Sequence, residues 1–241
     1  MLCFSPQIWC SDDTDPIERL TIQQSLSYLY PQSTFGAHVS AAPHAQTLRT
    51  TPLSTRGNVS FFGCLGYELD LKHLVATEEK EIMAQIAFYK QYRKVFQYGQ
   101  FRRIRSSDGC AWQVSLGDTH LAGLFHDLVH AAPGYEQLRL TALDRNGRYS
   151  FTGREQLLRV GQFGALVKHI VPVSLNPNGA ILRTADHHYP MKDGQQMLVA
   201  SGAALMTGVQ LSARFTGAGY DPGSRNQGDF SSNVYLVEKL N

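Results

Sequence analysis

Three carboxylates fall within four positions near the start of the chain, Asp12, Asp13 and Asp15, directly after the short apolar pair Ile8-Trp9. Clustered carboxylates suit general acid/base chemistry. Asp is also an ordinary turn residue, so the types alone leave a structural cluster and a catalytic one both open. Asp15-Pro16-Ile17-Glu18 has the form of a capping box, with an acceptor at the N-cap, Pro at the first helical position and Glu three residues after the cap. Asp15 and Glu18 therefore read as structural residues beside the site. Asp12 and Asp13 are left in the short turn between a strand and a helix, the position that forms the active face in a (β/α)₈ barrel.

The elements that must hold this turn follow in order. Residues 16–28 read as a helix, with Ile17, Leu20, Leu26 and Leu29 on its apolar face and Pro31 marking its end. Gly36–Ser40 is a short apolar run suited to a buried parallel strand, and residues 41–44 form the loop above it. Residues 49–62 fit a loop and a short helix, and residues 65–71 a further strand. Ala76–Tyr98 has the clearest helical pattern: Ile82, Met83, Ile86, Tyr89, Tyr92, Val95 and Phe96 recur at three- and four-residue steps, and Gly99 stands where a C-cap belongs. Alternating strand and helix is the pattern of a parallel α/β layer.

From about Phe101 short alternating runs take over, among them 112–116, 122–129, 137–140, 149–151, 198–200, 213–215 and 234–237. Turn pairs occur at Asp108-Gly109, Gly117-Asp118, Asn146-Gly147, Asn178-Gly179 and Asp193-Gly194. Such spacing predicts an antiparallel β-sandwich without a helix of consequence. The chain thus divides into 1–100 and 101–241, α/β followed by all-β.

The run PQIWCSDDTDPIERLTIQ, and the sequence onward through residue 71, resembles the acid/base segment of glycoside hydrolase family 36, the larger bacterial and fungal α-galactosidases. The resemblance is dense over residues 6–71 and looser to the end. It implies that residues 1–100 are the last three units of a (β/α)₈ catalytic barrel and that residues 101–241 are the C-terminal β domain. The first Asp of the family's Ser-Asp-x-Thr-Asp pattern is the proton donor, which here is Asp12. The family's nucleophile, an Asp in a Lys-Trp-Asp-like motif on an earlier strand, has no counterpart in this sequence, and neither does the glycine-rich segment with a substrate-contacting Cys. The chain by itself is therefore expected to be inactive. The activity implied for the longer enzyme is retaining hydrolysis of terminal α-D-galactosyl residues from melibiose- or raffinose-type oligosaccharides. No metal or organic cofactor is implied, the compartment is cytoplasmic, and the full-length form is a homo-oligomer. The alternative of another class is a non-catalytic carbohydrate-binding or subunit-interface module, which solvent-exposed aromatics on the sandwich would favour. Action on α-N-acetylgalactosaminides is a further variant.

Retention requires two carboxyl groups about 5 to 5.5 Å apart, one attacking and one protonating the leaving oxygen. The dipole of a helix N-terminus favours the ionised form of Asp12, so the negative charge of a nearby nucleophile is the natural agent to keep it protonated. Asp13 reads as facing solvent or supporting the acid. Trp9 is either a stacking surface for the apolar face of a sugar or a core residue; His38 either contacts substrate or is a buried, backbone-satisfied histidine. Glu68 and Asp70 either face a barrel interior or pair with Arg56 or Lys72.

Other constellations carry less. Net charge is +2, with 17% charged and 43% hydrophobic residues, which points to neither a nucleic-acid nor a membrane partner. The cluster Arg102-Arg103-Ile104-Arg105 reads as a solvated junction. Cys3, Cys10, Cys64 and Cys110 are widely spaced and read as free thiols. Asp186-His187-His188 is rejected as a metal site because adjacent strand histidines point apart. Gly63-Cys64-Leu65-Gly66 is too short for a phosphate loop, and no G-x-S-x-G elbow is present.

Overall fold

The computed structural model describes residues 3–128, 130, 136–158, 180–181, 184, 191–194, 196–211, 214–215 and 228–241. Asp186, His187, His188 and the Asn178-Gly179 turn lie outside the described residues.

The first hundred residues fold as consecutive strand and helix units. Ile8 makes an isolated parallel bridge to Phe35, its N–H donating to the Thr34 carbonyl (2.7 Å) and its carbonyl accepting from Gly36 N–H (3.0 Å). Helix α1 (Pro16–Leu26) follows, then strand β1 (Gly36–Ser40), helix α2 (Leu53–Ser60), strand β2 (Cys64–Glu68) and the long helix α3 (Ala76–Tyr98). β1 and β2 pair in parallel, Gly36 opposite Cys64 and Ser40 opposite Glu68. The expected third strand is thus shorter, ending at Glu68, because Asp70 turns the chain into a 3₁₀ turn by accepting from Lys72 N–H (2.9 Å).

Alternation decides which face of this layer is covered. Ala37 and Val39 are fully buried on the helix side. His38 and Glu68 fall on the opposite side, with Gly66 opposite His38 in the register.

Helix α1 differs from its sequence pattern. It ends at Leu26, well before Pro31, and its buried residues include Arg19 and Gln23, whereas Leu29 is exposed. The reason is hydrogen bonding: Arg19 donates to the Gly36 carbonyl and, at 3.3 Å, to Gln23 Oε1, and Gln23 donates to the Val59 carbonyl at 3.1 Å. These bonds satisfy strand and helix ends that an apolar face would leave unpaired.

The remaining strands are β3 (Gln100–Ser106), β4 (Cys110–Leu116), β5 (Thr119–Phe125), β6 (Gln137–Arg139), β7 (Arg148–Gly153), β8 (Leu157–Leu158), β9 (Met191–Gly194), β10 (Met197–Ser201), β11 (Val209–Gln210), β12 (Arg214–Phe215) and β13 (Ser232–Leu240). Eight form one antiparallel sheet in the order β10-β7-β13-β5-β4-β3-β6-β11, and β12-β9-β8 make a second, small sheet. Two details depart from the sequence pattern. A short helix, α4 (Gly202–Thr207), follows β10, capped by the Ser201 hydroxyl accepting from Ala204 N–H. Asp193-Gly194 lies within β9 rather than in a turn.

Both faces of the large sheet are used. Trp112, Val114, Leu121, Phe125 and Val234 pack against Phe61 and Phe62 just past α2 and against Tyr89, Val95 and Phe96 of α3. The alternate residues Ala111, Ala122, Leu124, Tyr235 and Val237 build a second core with Phe151, Leu138, Leu205 and Val209. Gly123 is a close-approach position: a Cβ there would lie 2.8 Å from the Phe62 ring and 2.6 Å from that of Phe125. Gly99 caps α3 at ordinary φ; its need is also space, with Val95 O 2.4 Å from where a Cβ would stand.

A buried polar seam fastens the two regions. Arg154, after β7, pairs with Glu81 of α3 (3.2 Å), donates to Asn58 Oδ1 (3.1 Å) and lies over the Phe61 ring. Asn58 continues to Gln156 Oε1 (3.0 Å) and Ser232 Oγ (2.9 Å). The basic cluster on β3 contributes to the same junction, since Arg103 stacks 3.8 Å from the Tyr28 ring centroid and donates to Ser27 Oγ (2.6 Å).

Candidate active site

Asp12 stands in the turn between the Ile8 bridge and α1, at the C-terminal end of the first parallel strand segment. Its side chain is exposed and, among the described residues, makes no hydrogen bond or ion pair. Its acidic neighbours are all engaged. Asp13 Oδ1 accepts from Asp15 N–H (2.9 Å) and lies 3.8 Å from His44 Nε2, so Asp13 holds the turn rather than merely facing solvent. Asp15 is the N-cap, its Oδ1 accepting from Ile17 N–H (2.9 Å), and it is 0% exposed.

The capping box is only half formed. Asp13, not Glu18, takes the Asp15 N–H, and Glu18 instead meets Arg49 Nη2 at 3.3 Å. Arg49 Nη1 lies 2.6 Å from Asp15 Oδ1, and the Thr47 hydroxyl donates to Asp15 Oδ2. Burial pushes the Asp15 pKa upward, but the bonds from Thr47, Ile17 N–H and Arg49 outweigh it and hold the carboxyl below its usual range. The loop after β1 thus embraces the turn. His44, in the same loop, hydrogen-bonds Thr14 Oγ1 (3.3 Å) and Thr47 Oγ1 (3.3 Å).

Sequence reasoning named Asp15 and Glu18 but not Arg49, His44 or Thr47. A basic residue in the loop following the next strand was the available signal.

Trp9 and His38 come together. Their ring centroids are 4.3 Å apart in an edge-on arrangement, and Trp9 is 46% exposed. His38 is half-buried and lies 3.6 Å from Glu68 on the face opposite Ala37 and Val39. A Cβ at Gly66 would fall 2.6 Å from the His38 ring, so this glycine is what lets the imidazole lie across β2. Glu68 lies 3.6 Å from His38 and Asp70 3.4 Å from His73, while Arg56 donates to the Ser40 carbonyl. Trp9, His38 and Glu68 share the side of the parallel layer opposite Ala37 and Val39, and the turn that carries Asp12 follows Trp9 by three residues. All four cysteines are free thiols.

The melibiase family profile matches residues 1–99, the span that contains this arrangement. The α-galactosidase Mel36A of Lactobacillus acidophilus is 38% identical over 168 residues, and AgaA of Geobacillus stearothermophilus 42% over 158. The solved structure of AgaA in complex with raffinose superimposes on all of this chain with a TM-score of 0.72 at 30% identity. Residues 1–99 are thus a melibiase-family match, and the whole chain is similar to the α-galactosidases of glycoside hydrolase family 36. The alignment with Mel36A takes in 66% of this chain and 23% of that enzyme, and the chain covers 27% of the AgaA structure, so it spans about a quarter of the length of the relatives it matches. An α-galactosidase structure from Lactobacillus brevis gives the same picture, with a TM-score of 0.68 and 26% of that chain covered. Among the described residues no helix is long and apolar enough to cross a membrane.

Proposed function

We propose that this chain is the acid/base-bearing part of a retaining α-galactosidase that releases terminal α-D-galactosyl residues from melibiose- or raffinose-type oligosaccharides. The observation that carries this reading is the contrast within the turn: Asp13 and Asp15 are tied into the fold, while Asp12, three residues after Trp9, is exposed and makes no bond among the described residues. Asp12 donates its proton to the leaving glycosidic oxygen, and then, as carboxylate, takes a proton from the water that releases galactose. Trp9 offers an apolar face to the sugar and His38 a polar edge.

The attacking carboxylate comes from outside residues 1–241. Residues 1–100 are accordingly the last three units of a (β/α)₈ barrel and residues 101–241 a β-sandwich domain. The full-length enzyme is a cytoplasmic homo-oligomer that uses no cofactor. Among the described residues beyond 100, the large exposed hydrophobics are Leu116, Leu128, Ile181, Met197, Val199 and Leu240, none of them aromatic.

The test is galactose release from raffinose. The protein isolated from its native source is expected to turn over and these 241 residues alone are not. Turnover by the 241 residues alone would refute the divided site, and its absence from the native protein would refute the activity.

A further inference from the structure

Four non-glycine residues among those described have positive φ: Cys10 (75°), Leu48 (56°), Ala142 (55°) and Phe230 (57°). Left-handed backbone is disfavoured for such side chains and persists where the surroundings over-determine it, commonly near functional groups. Three of the four adjoin the acid turn or the arginine that braces it, although they come from remote stretches of the chain. Cys10 lies two residues before Asp12. Leu48 turns the chain so that Arg49 reaches Asp15 and Glu18. Phe230 lies under Arg49, its ring centroid 5.5 Å from the guanidinium carbon.

Phe230 is itself held at both backbone groups. Its N–H donates to the Asp127 carbonyl (2.6 Å) and its carbonyl accepts from the Thr55 hydroxyl (2.6 Å). The segment leading into β13 is therefore fixed before Arg49 is stacked upon it. Arg49 is in turn the link between that segment and the two carboxylates of the helix start.

We propose that Arg49, seated on Phe230, is a positioning residue for the general acid: it fixes the start of α1, and with it the place of Asp12, so that the antiparallel region aligns a group it does not itself supply. The inference rests on the reading of Asp12 as acid/base. Arg49 touches no reacting atom; it acts through Asp15 and Glu18. Its planar fork is needed because it addresses two carboxylates and a ring face at once, which an ammonium cannot do.

Two conservative variants test this in the isotopically labelled chain, Arg49→Lys, which keeps the charge, and Phe230→Leu, which removes the ring. In both, the backbone amide signals of Asp12 and Asp13 are expected to move and exchange at the Ile17 amide to quicken about tenfold or more, while the signals of Tyr149 and Ala204 in the other core stay in place. The same substitutions in the native protein should lower kcat for raffinose with little change in KM. Asp12 and Asp13 signals coincident with those of the parent in both variants would overturn the proposal. So would changes that spread equally to Tyr149 and Ala204, which would make Arg49 a general support of the fold. The acid assignment fails separately: undiminished turnover by Asp12→Asn would remove it while leaving the signal shifts intact.

Discussion

The parallel layer and the antiparallel sheet solve the problem of covering a sheet differently. β5 is buried along nearly its whole length because its alternate residues enter two different cores, whereas β2 is half-buried from Cys64 to Tyr67 and exposed at Glu68. Parallel strands ordinarily have both faces covered. Here Ala37 and Val39 are covered by helices while His38, Glu68 and Trp9 on the other side are not, and the residues on that side are polar, small or aromatic rather than aliphatic. A bare face of that chemistry suits the sugar-facing role proposed for it.

The seam between the two regions is the point most sensitive to substitution. Arg154 and Glu81 are 4% and 6% exposed at the side chain, so removing one partner leaves an uncompensated buried charge. Glu81→Leu or Arg154→Leu is expected to cost about 3–5 kcal/mol in urea unfolding. On the acid turn, Asp15→Ala removes an N-cap and a bidentate partner of Arg49 and Thr47, for about 2 kcal/mol or more.

A smaller, pH-dependent effect belongs to the antiparallel region. His126 Nε2 bonds Glu136 and its Nδ1 meets Ser231 Oγ (3.3 Å). Burial alone would lower the imidazole pKa, but the bond to Glu136 and its charge raise it above the ordinary value. The stabilisation is therefore fully present below the unfolded histidine pKa, about 6.5, and is lost as pH rises through the higher folded value. The stability gap between the chain and His126→Asn should be largest near pH 5.5 and shrink at alkaline pH. Smallest is Glu68→Ala on the bare face, expected within about 0.5 kcal/mol of the parent. A large loss there would mean that the face is structural and the contrast drawn above is mistaken.

What was legible in the sequence followed from period and turn chemistry. α3 was marked by its three- and four-residue repeats, β1 by a compact apolar run, and the acid turn by Pro16 after an acceptor. The less legible parts depend on contacts remote in sequence. Glu18 abandons the capping box because Arg49 offers a charge-assisted partner, and Arg49 can reach it only because Leu48 adopts a left-handed conformation. α1 buries Arg19 and Gln23 because backbone carbonyls of Gly36 and Val59 need donors, a demand invisible to helical periodicity. α4 is six residues long, too short for its pattern to stand out between strands.

The central claim is that Asp12 supplies the proton, and the direct measurement is turnover of Asp12→Asn in the native protein on two galactosides, raffinose and an aryl galactoside whose leaving group needs no protonation. The account predicts a fall in kcat of about 10²–10⁴ on raffinose, where the leaving oxygen must be protonated, and a much smaller fall in galactosyl transfer from the aryl substrate, with the melting temperature unchanged. Equal activity on raffinose with and without the Asp12 carboxyl would contradict it.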